Sequence, residues 1–234
     1  MKFLPNTLTC CNLICGCMAT GAAFHDHFRW ALLLIVIGAV FDFFDGMTAR
    51  LIGYCSPIGK ELDSLADVVT FGVAPSAMVF ALFRYVQYPA WLQPLEGFLP
   101  YTAFVMAAFS ALRLAKFNID PRQSSSFIGL PTPANALFWG SLIVSQFSFL
   151  CSGRFNAVFL LLFMLMFSFL LVAEIPLFAL KFRNLSWADN RVKYIFLIGC
   201  LLLLPLGLSA PFAIILWYIL LSIIVWKLQP ARPH

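Results

Sequence analysis

Residues 28–51 read FRWALLLIVIGAVFDFFDGMTARL, an apolar run that ends in two aspartates, a glycine and an arginine. About 20 consecutive, mostly apolar residues are enough for an α-helix to cross the hydrocarbon core of a bilayer. The run therefore predicts a membrane-spanning helix that carries Asp42, Asp45, Gly46, Ala49 and Arg50 at one end.

The composition of the whole chain extends this prediction outward from residues 28–51. Of the 234 residues, 62% are hydrophobic and 11% are charged, whereas soluble domains average about 45–50% apolar and about 25% charged residues. So few charges cannot cover a water-facing surface, and no long polar stretch is left over to build a soluble domain. We expect one all-α, polytopic membrane domain over residues 1–234, with residues 42–67 as its core motif. The net charge of +5 belongs to its loops, and we expect no nucleic-acid partner.

Eight stretches have the length and apolarity of membrane spans. They cover residues 8–24, 28–51, 62–83, 98–115, 132–151, 155–180, 193–208 and 211–227. The last two are short and nearly adjacent, as in a helical hairpin. The pattern has the period of a helix, not the ten-residue alternation of a membrane β-barrel.

The basic residues predict how these spans are oriented. If the N-terminus is cytoplasmic and eight spans alternate, only Arg29, Arg84 and Arg154 of the 15 Lys and Arg lie on the outer side. The residues on the cytoplasmic side are then Lys2, Arg50, Lys60, Arg113, Lys116, Arg122, Lys181, Arg183, Arg191, Lys193, Lys227 and Arg232. Short cytoplasmic loops are enriched in Lys and Arg. Both termini and the region 42–67 are therefore predicted to face the cytoplasm, with the protein in the cytoplasmic (inner) cell membrane.

Four aspartates at helical spacing form the strongest functional signal. Asp42 and Asp45 are three residues apart on the second span, and Asp63 and Asp67 are four apart on the third. Residues at these spacings share a helix face, so two antiparallel helices can direct all four carboxylates, called here the aspartate cluster, toward one volume.

Unpaired carboxylates near a membrane interface repel one another and lose hydration. Mg²⁺ or Mn²⁺ suits such oxygen ligands when substrate phosphates complete the coordination shell, and paired metals serve phosphoryl transfer. The structural alternative is that the aspartates cap helices or pair with Arg50 and Lys60.

Small residues accompany the aspartates. Gly46, Ala49 and Gly59 would let a substrate approach the backbone closely, and tight helix packing explains any single one of them equally well. Arg50 follows Ala49 and is suited to hold a phosphate.

The spacing Asp42-x2-Asp45-Gly46-x2-Ala49-Arg50-x8-Gly59-x3-Asp63-x3-Asp67 resembles the signature of the CDP-alcohol phosphotransferase family at each fixed position. The resemblance implies that the four aspartates bind two divalent cations, Mg²⁺ or Mn²⁺, and that Asp67 is also the general base. It implies that Gly46, Ala49 and Gly59 line the CDP site, which Arg50 helps to order. It also implies a homodimer.

Further segments, within residues 4–135, are similar to the phosphatidylserine synthase branch of that family. They are the opening LPNTLT at 4–9, with Asn6 and Thr9 near the nucleotide and with Asn12 and Gly16 following, FGVAP at 71–75, and ALRLAKFN at 111–118 before FIGLPTPA at 127–134. Lys116 departs from the arginine usual in that branch and lacks its bidentate geometry. The branch implies transfer of the phosphatidyl group of CDP-diacylglycerol to L-serine, with release of CMP.

The predicted acceptor site lies at the end of the fourth span, with Arg113, Lys116 and Asn118. Serine carries a carboxylate and an ammonium, and the two cations are suited to pair with an anion, although basic residues at a cytoplasmic helix end are common in any case. Glycerol phosphate would also favour two cations, so a phosphatidylglycerophosphate or phosphatidylinositol-type synthase remains an alternative.

Two other functional interpretations concern acidic and nucleophilic residues. Intramembrane acids also mark ion pathways, so a divalent cation transporter, with Glu174 extending the path, is the alternative from a different class. No side chain suits a covalent phospho-enzyme, because His25 and His27 are predicted on the outer side and His234 is terminal. We therefore expect direct displacement.

Overall fold

The computed structural model describes residues 4–53, 57–120, 127–178 and 186–228. The helices in these ranges are α1 (Leu4–Phe24), α2 (Phe28–Ile52), α3 (Pro57–Asp67), α4 (Ala74–Leu82), α5 (Phe104–Ile119), α6 (Thr132–Leu150), α7 (Ala157–Val172), α8 (Trp187–Leu203) and α9 (Ala210–Leu228). A π-helical turn, Val68–Val73, joins α3 to α4, and short 3₁₀ turns cover Gln93–Leu95, Leu99–Ala103 and Leu204–Ser209. Two short strands, β1 (Phe127–Ile128) and β2 (Pro176–Leu177), pair antiparallel.

Five helical stretches are long and apolar enough to cross a membrane. They are Leu4–Phe24, Phe28–Ile52, Pro57–Leu82, Leu99–Ile119 and Asn190–Leu228. The chain is thus an α-helical membrane protein, as predicted. The third stretch begins at Pro57, five residues before the predicted start. Helix α7 has only 16 residues, and the backbone of α6 leaves helical geometry at Gln146.

Helices α8 and α9 lie side by side and run in opposite directions. The Trp217 indole of α9 packs against Gly199 of α8, and the rings of Phe196 and Tyr218 are 5.7 Å apart. Between the two helices Gly207 has a φ of 60°, a backbone conformation that glycine adopts without the strain of a Cβ. The stretch Asn190–Leu228 therefore folds back on itself, as the predicted hairpin requires.

Helix α2 has two distinct faces. Its buried face includes Ala31, Ile35, Gly38 and Asp45. Large apolar side chains recur at the same three- and four-residue intervals on the exposed face, at Trp30, Leu33, Ile37, Val40 and Phe44. An apolar face this exposed is suited to contact with lipid. The periodicity that turns this face outward also turns Asp42 and Asp45 inward.

The core is centred on α4, in which every residue except Phe80 is buried. Next to it, α6 and α7 meet through Phe138 and Phe167, whose rings stack at 4.0 Å. Trp139 packs edge-on against Phe167. Aromatic side chains therefore fill this part of the core, and the polar contacts described next lie at the helix ends.

The two ends of the helix bundle carry different polar contacts. At one end Arg84 forms an ion pair with Asp26 at 2.6 Å, and the backbone N–H of Ala157 donates to the carbonyl of Gln87. At the other end the Lys60 ammonium donates to the carbonyl of Asn118.

Arg84 therefore lies at the opposite end of the bundle from Lys60. Some of the basic residues used for that prediction lie outside the described residues, namely Lys2, Arg122, Lys181, Arg183 and Arg232.

Candidate active site

Three members of the aspartate cluster come together between α2 and α3. Asp42, Asp63 and Asp67 each offer a carboxylate oxygen, and these oxygens lie within 4.8 Å of one another. The arrangement follows from the helix periods, since Asp42 continues the inward face of α2 and Asp63 lies one turn before Asp67. Asp67 is buried, whereas Asp42 and Asp63 are half-buried.

Asp45 takes a different position from the other three aspartates. Its carboxylate accepts a hydrogen bond of 2.6 Å from the Thr9 hydroxyl of α1, and its side chain is buried. The same hydroxyl oxygen lies 3.0 Å from the carbonyl oxygen of Pro5 on its own helix. Thr9, predicted to lie near a nucleotide, therefore contacts a predicted metal ligand directly.

Asn12, which the family resemblance included in the opening segment without a specific role, contacts the aspartate cluster. Its side-chain amide donates to Asp67 at 3.3 Å, and its backbone carbonyl accepts from the Thr70 hydroxyl in the π-helical turn. A Cβ added at Gly38 of α2 would lie 2.7 Å from the Thr70 side chain and 2.9 Å from the amide oxygen of Asn12. Close approach of three segments therefore fixes the position of Asn12.

A signal for Asn12 was present in the sequence. Small or polar residues recur on one face of α1 at helical intervals, at Pro5, Thr9, Asn12, Gly16 and Ala19, and all are buried. Such a stripe on an otherwise apolar span indicates a polar surface that faces inward.

The chemistry of the aspartate cluster fits a hard divalent cation. One carboxylate oxygen of Asp63 is buried without a hydrogen-bond partner. Within the described ranges, neither Arg50 nor Lys60 forms an ion pair with any of the four aspartates. Grouped carboxylates in a poorly hydrated setting need a positive charge, and an all-oxygen ligand set suits Mg²⁺ or Mn²⁺.

The predicted nucleotide-binding residues other than Thr9 are exposed or half-buried. A Cβ at Gly46 would meet no atom within 4 Å, so tight helix packing does not explain this glycine. Arg50 is exposed and donates from Nε to the carbonyl of Gly46. Asn6, Ala49 and Gly59 are half-buried. Space for a ligand therefore adjoins the backbone next to Asp45.

Arg113 is a buried cation beside the aspartate cluster. Its side chain is only 7% exposed, its Nε has no hydrogen-bond partner, and its guanidinium lies 5.0 Å from the centre of the Phe117 ring. Its charge interacts with that of Asp67. Close packing of α5 against the π-helical turn explains this proximity, because a Cβ at Gly72, five residues after Asp67, would lie 3.0 Å from the Ser110 side chain, one turn before Arg113.

Arg113 and Lys116 share a cavity of about 200 Å³, called here the Arg113 cavity. Asn118, the third predicted acceptor residue, does not line it. Its amide instead donates to the Ser64 hydroxyl at 2.7 Å, and its carbonyl accepts from Lys60. Asn118 thus ties the end of α5 to the helix that carries Asp63.

Comparison with known proteins places these features in one family. Residues 2–226 match the family model described as CDP-alcohol phosphatidyltransferase. A Bacillus subtilis protein named CDP-diacylglycerol–serine O-phosphatidyltransferase is 36% identical over 175 residues, which cover 75% of this chain and 89% of the relative.

Relatives of the same name occur in Mycobacterium tuberculosis and Helicobacter pylori. The M. tuberculosis protein (strain CDC 1551 / Oshkosh) is 29% identical over 96% of this chain and 75% of its own length. The H. pylori protein (strain J99) is 40% identical over 58% of this chain, and the match spans little more than half of that relative, 55%.

Proposed function

Because the chain belongs to the CDP-alcohol phosphatidyltransferase family, we propose that it transfers the phosphatidyl group of CDP-diacylglycerol to the hydroxyl of L-serine. The products are phosphatidylserine and CMP. The observation that carries the proposal is the convergence of Asp42, Asp63 and Asp67 within 4.8 Å, beside a buried arginine that has an unpartnered Nε.

The aspartate cluster would hold two divalent cations, Mg²⁺ or Mn²⁺. When bound, they supply charge neutralisation for the pyrophosphate and for the departing CMP. Thr9 holds the Asp45 carboxylate and Asn12 holds that of Asp67. Such partners orient carboxylate ligands before substrate arrives.

Asp67 is proposed to accept the proton of the serine hydroxyl. The serine oxygen then forms a bond to the β-phosphorus, which bears the diacylglycerol, and the bond from this phosphorus to the bridging oxygen breaks. That oxygen leaves with CMP. The burial of Asp67 keeps water away from the proton transfer, which favours serine over hydrolysis.

The nucleotide and the lipid tails would occupy different surroundings. The open space at Gly46 is proposed to take the CDP group, with Asn6, Ala49, Arg50 and Gly59 as its proposed contacts. The acyl tails would stay in lipid, along the apolar exposed face of α2.

Arg113 and Lys116 are proposed to bind the acceptor. Arginine binds carboxylates and phosphates through several N–H groups, so this site alone would serve serine or glycerol phosphate. The names of the three relatives favour serine.

A cation transporter is less compatible with the distribution of buried charge. In the part of the chain that the structure describes, the buried charged side chains are Asp45, Asp67 and Arg113. All three lie at the same end of the helix bundle, whereas an ion pathway needs polar groups through the whole membrane thickness.

The proposal also covers the domain organisation, membrane topology and oligomeric state of the protein. We propose one domain over residues 1–234 with eight spans, cytoplasmic termini and an active site facing the cytoplasm from the inner membrane. The order of the described helices, with α3 and α4 forming one stretch, supports this count, as does the hairpin of α8 and α9. The homodimer implied by the family resemblance is also proposed, with cross-linking in native membranes as its test.

The test uses purified protein with CDP-diacylglycerol and Mg²⁺ or Mn²⁺. L-serine, glycerol 3-phosphate and inositol are offered separately, and lipid product and CMP are measured. We expect equal amounts of phosphatidylserine and CMP with L-serine, and loss of both when EDTA removes the metal. Use of glycerol 3-phosphate without use of serine would contradict the proposal.

A further inference from the structure

The Arg113 cavity carries charges of both signs. Six of its lining residues are Arg113, Lys116, Asp120, Ile128, Leu171 and Glu174. Arg113 and Lys116 come from α5, whereas Glu174 follows the end of α7. At about 200 Å³, the cavity is smaller than the sites of drug-sized ligands, which measure about 300–1,000 Å³. Its size and charges therefore suit a small polar molecule.

The backbone around Glu174 is fixed from both sides. The N–H of Gly129 donates to the carbonyl of Ile175, and that of Leu130 donates to the carbonyl of Leu170. Gly129 has a φ of 77°, and a Cβ there would meet the backbone of Leu171. These contacts and the pairing of β1 with β2 hold Glu174 at the rim of the cavity.

Glu174 and the two cations of α5 remain separate although they line one cavity. Within the described ranges no ion pair joins Glu174 to Arg113 or to Lys116. Arg113 is buried with an unpartnered Nε, whereas Glu174 is exposed at the rim. A ligand with a negative group at its inner end and a positive group at its outer end would complement both.

We propose that Glu174 binds the ammonium group of a zwitterionic amino-acid acceptor whose carboxylate is bound by Arg113. This inference rests on the proposed function and adds to it the residue that selects the acceptor. Glycerol phosphate and inositol have no ammonium group, so the Glu174 carboxylate forms no ion pair with them, and it repels the phosphate of glycerol phosphate. Specificity thus comes from a favourable contact with one acceptor and repulsion of another.

The test compares Glu174→Gln with wild type in initial-rate assays, varying L-serine and CDP-diacylglycerol separately. Replacing the carboxylate by an amide keeps its shape and removes its charge. We expect the KM for L-serine to rise about tenfold, as for loss of one charge-assisted hydrogen bond, while the KM for CDP-diacylglycerol stays within about twofold. Glu96→Gln, at an exposed glutamate that does not line the cavity, is the matched control.

Acceptor analogues give a second measurement. 3-Hydroxypropionate lacks the ammonium group of serine, so Glu174→Gln should leave its use unchanged or improve it. An unchanged serine KM in Glu174→Gln, or an equal rise in both KM values, would overturn the proposal. A rise in the serine KM in Asp120→Asn but not in Glu174→Gln would assign the ammonium to Asp120 instead. Absence of phosphatidylserine formation by wild type would contradict the proposed function itself, independently of Glu174.

Discussion

At the scale of single residues, Asp67 is distinguished by its burial and its contacts. It is the most deeply buried of the three aspartates whose oxygens converge, and Asn12 holds one of its oxygens. We expect Asp67→Asn to lower turnover by about 10²–10⁴-fold, because the amide keeps the shape of the side chain but cannot accept the proton. The measurement is phosphatidylserine formation with purified protein.

Asp42→Asn provides the comparison for this prediction. It should weaken metal-dependent nucleotide binding together with turnover, whereas Asp67→Asn should largely retain nucleotide binding because Asp42, Asp45 and Asp63 remain. If Asp67→Asn kept a tenth or more of the wild-type turnover, another group would have to accept the proton.

Asn12 supports the second prediction at this scale. Asn12→Ala removes the hydrogen bond to Asp67, and hydrogen bonds to charged groups contribute about 1.5–3 kcal/mol. We expect kcat to fall about tenfold or more, with little change in the KM for CDP-diacylglycerol. Thr20→Ala is a suitable control, since the Thr20 hydroxyl bonds the carbonyl of Gly16 in its own helix. Equal kcat values for the two variants would show that Asn12 does not position Asp67.

At the scale of helices, the close packing of α1, α2 and the π-helical turn depends on Gly38. An added Cβ would meet both Thr70 and Asn12 at under 3.0 Å. We expect Gly38→Ala to destabilise the fold by about 1–3 kcal/mol, the usual cost of overpacking, and to lower activity by displacing Asn12. Thermal unfolding in detergent measures the first effect.

Gly21→Ala is the matched control for Gly38. It also lies in an apolar helix, yet its Cβ would meet nothing within 4 Å, so alanine should be neutral or stabilise by up to about 1 kcal/mol through helix propensity. Identical stability of the two variants would mean that α2 can move away from α1 and the π-helical turn without a loss in the free energy of unfolding.

Helix faces were predictable from the sequence, whereas contacts between helices were not. The spacing of Asp42 and Asp45 fixed their common face on α2, and the long apolar runs fixed the membrane class. The helical period of the sequence does not by itself predict which side chain of an adjacent helix each residue contacts. Asp45 therefore turned out to bond Thr9, and the predicted acceptor residue Asn118 bonds Ser64.

The π-helical turn left no signal in hydropathy, because its residues Val68–Val73 are as apolar as those of the helix that follows. The start of the third span was placed too late for a related reason. Pro57, Lys60 and Glu61 lower the hydropathy of the first turns of α3, although a proline at the first position of a helix is favourable.

At the scale of the whole molecule, charge is distributed unevenly between the two ends of the bundle. Arg84 pairs with Asp26 at one end, and Lys60 lies near the aspartate cluster at the other. Single cysteines that replace Lys60, Arg29 and Arg154, in a background without the 7 native cysteines, should show which side of the membrane each position faces. An impermeant thiol reagent applied to intact cells is expected to label positions 29 and 154 but not 60. Labelling of position 60 from outside would contradict the proposed orientation.

The π-helical turn acts as a phase shift within the third span. Each residue of an α-helix advances by about 100°, and a π-bulge adds one residue to a turn. The periodic pattern that aims Asp63 and Asp67 is therefore offset from the one that packs α4. Deleting one residue within Val68–Val73 would turn the carboxylates by roughly 100° relative to the core while leaving both helices intact. The span thus consists of two helical segments in different rotational register. The direction of its reactive groups can therefore change without any change in the packing of its buried half.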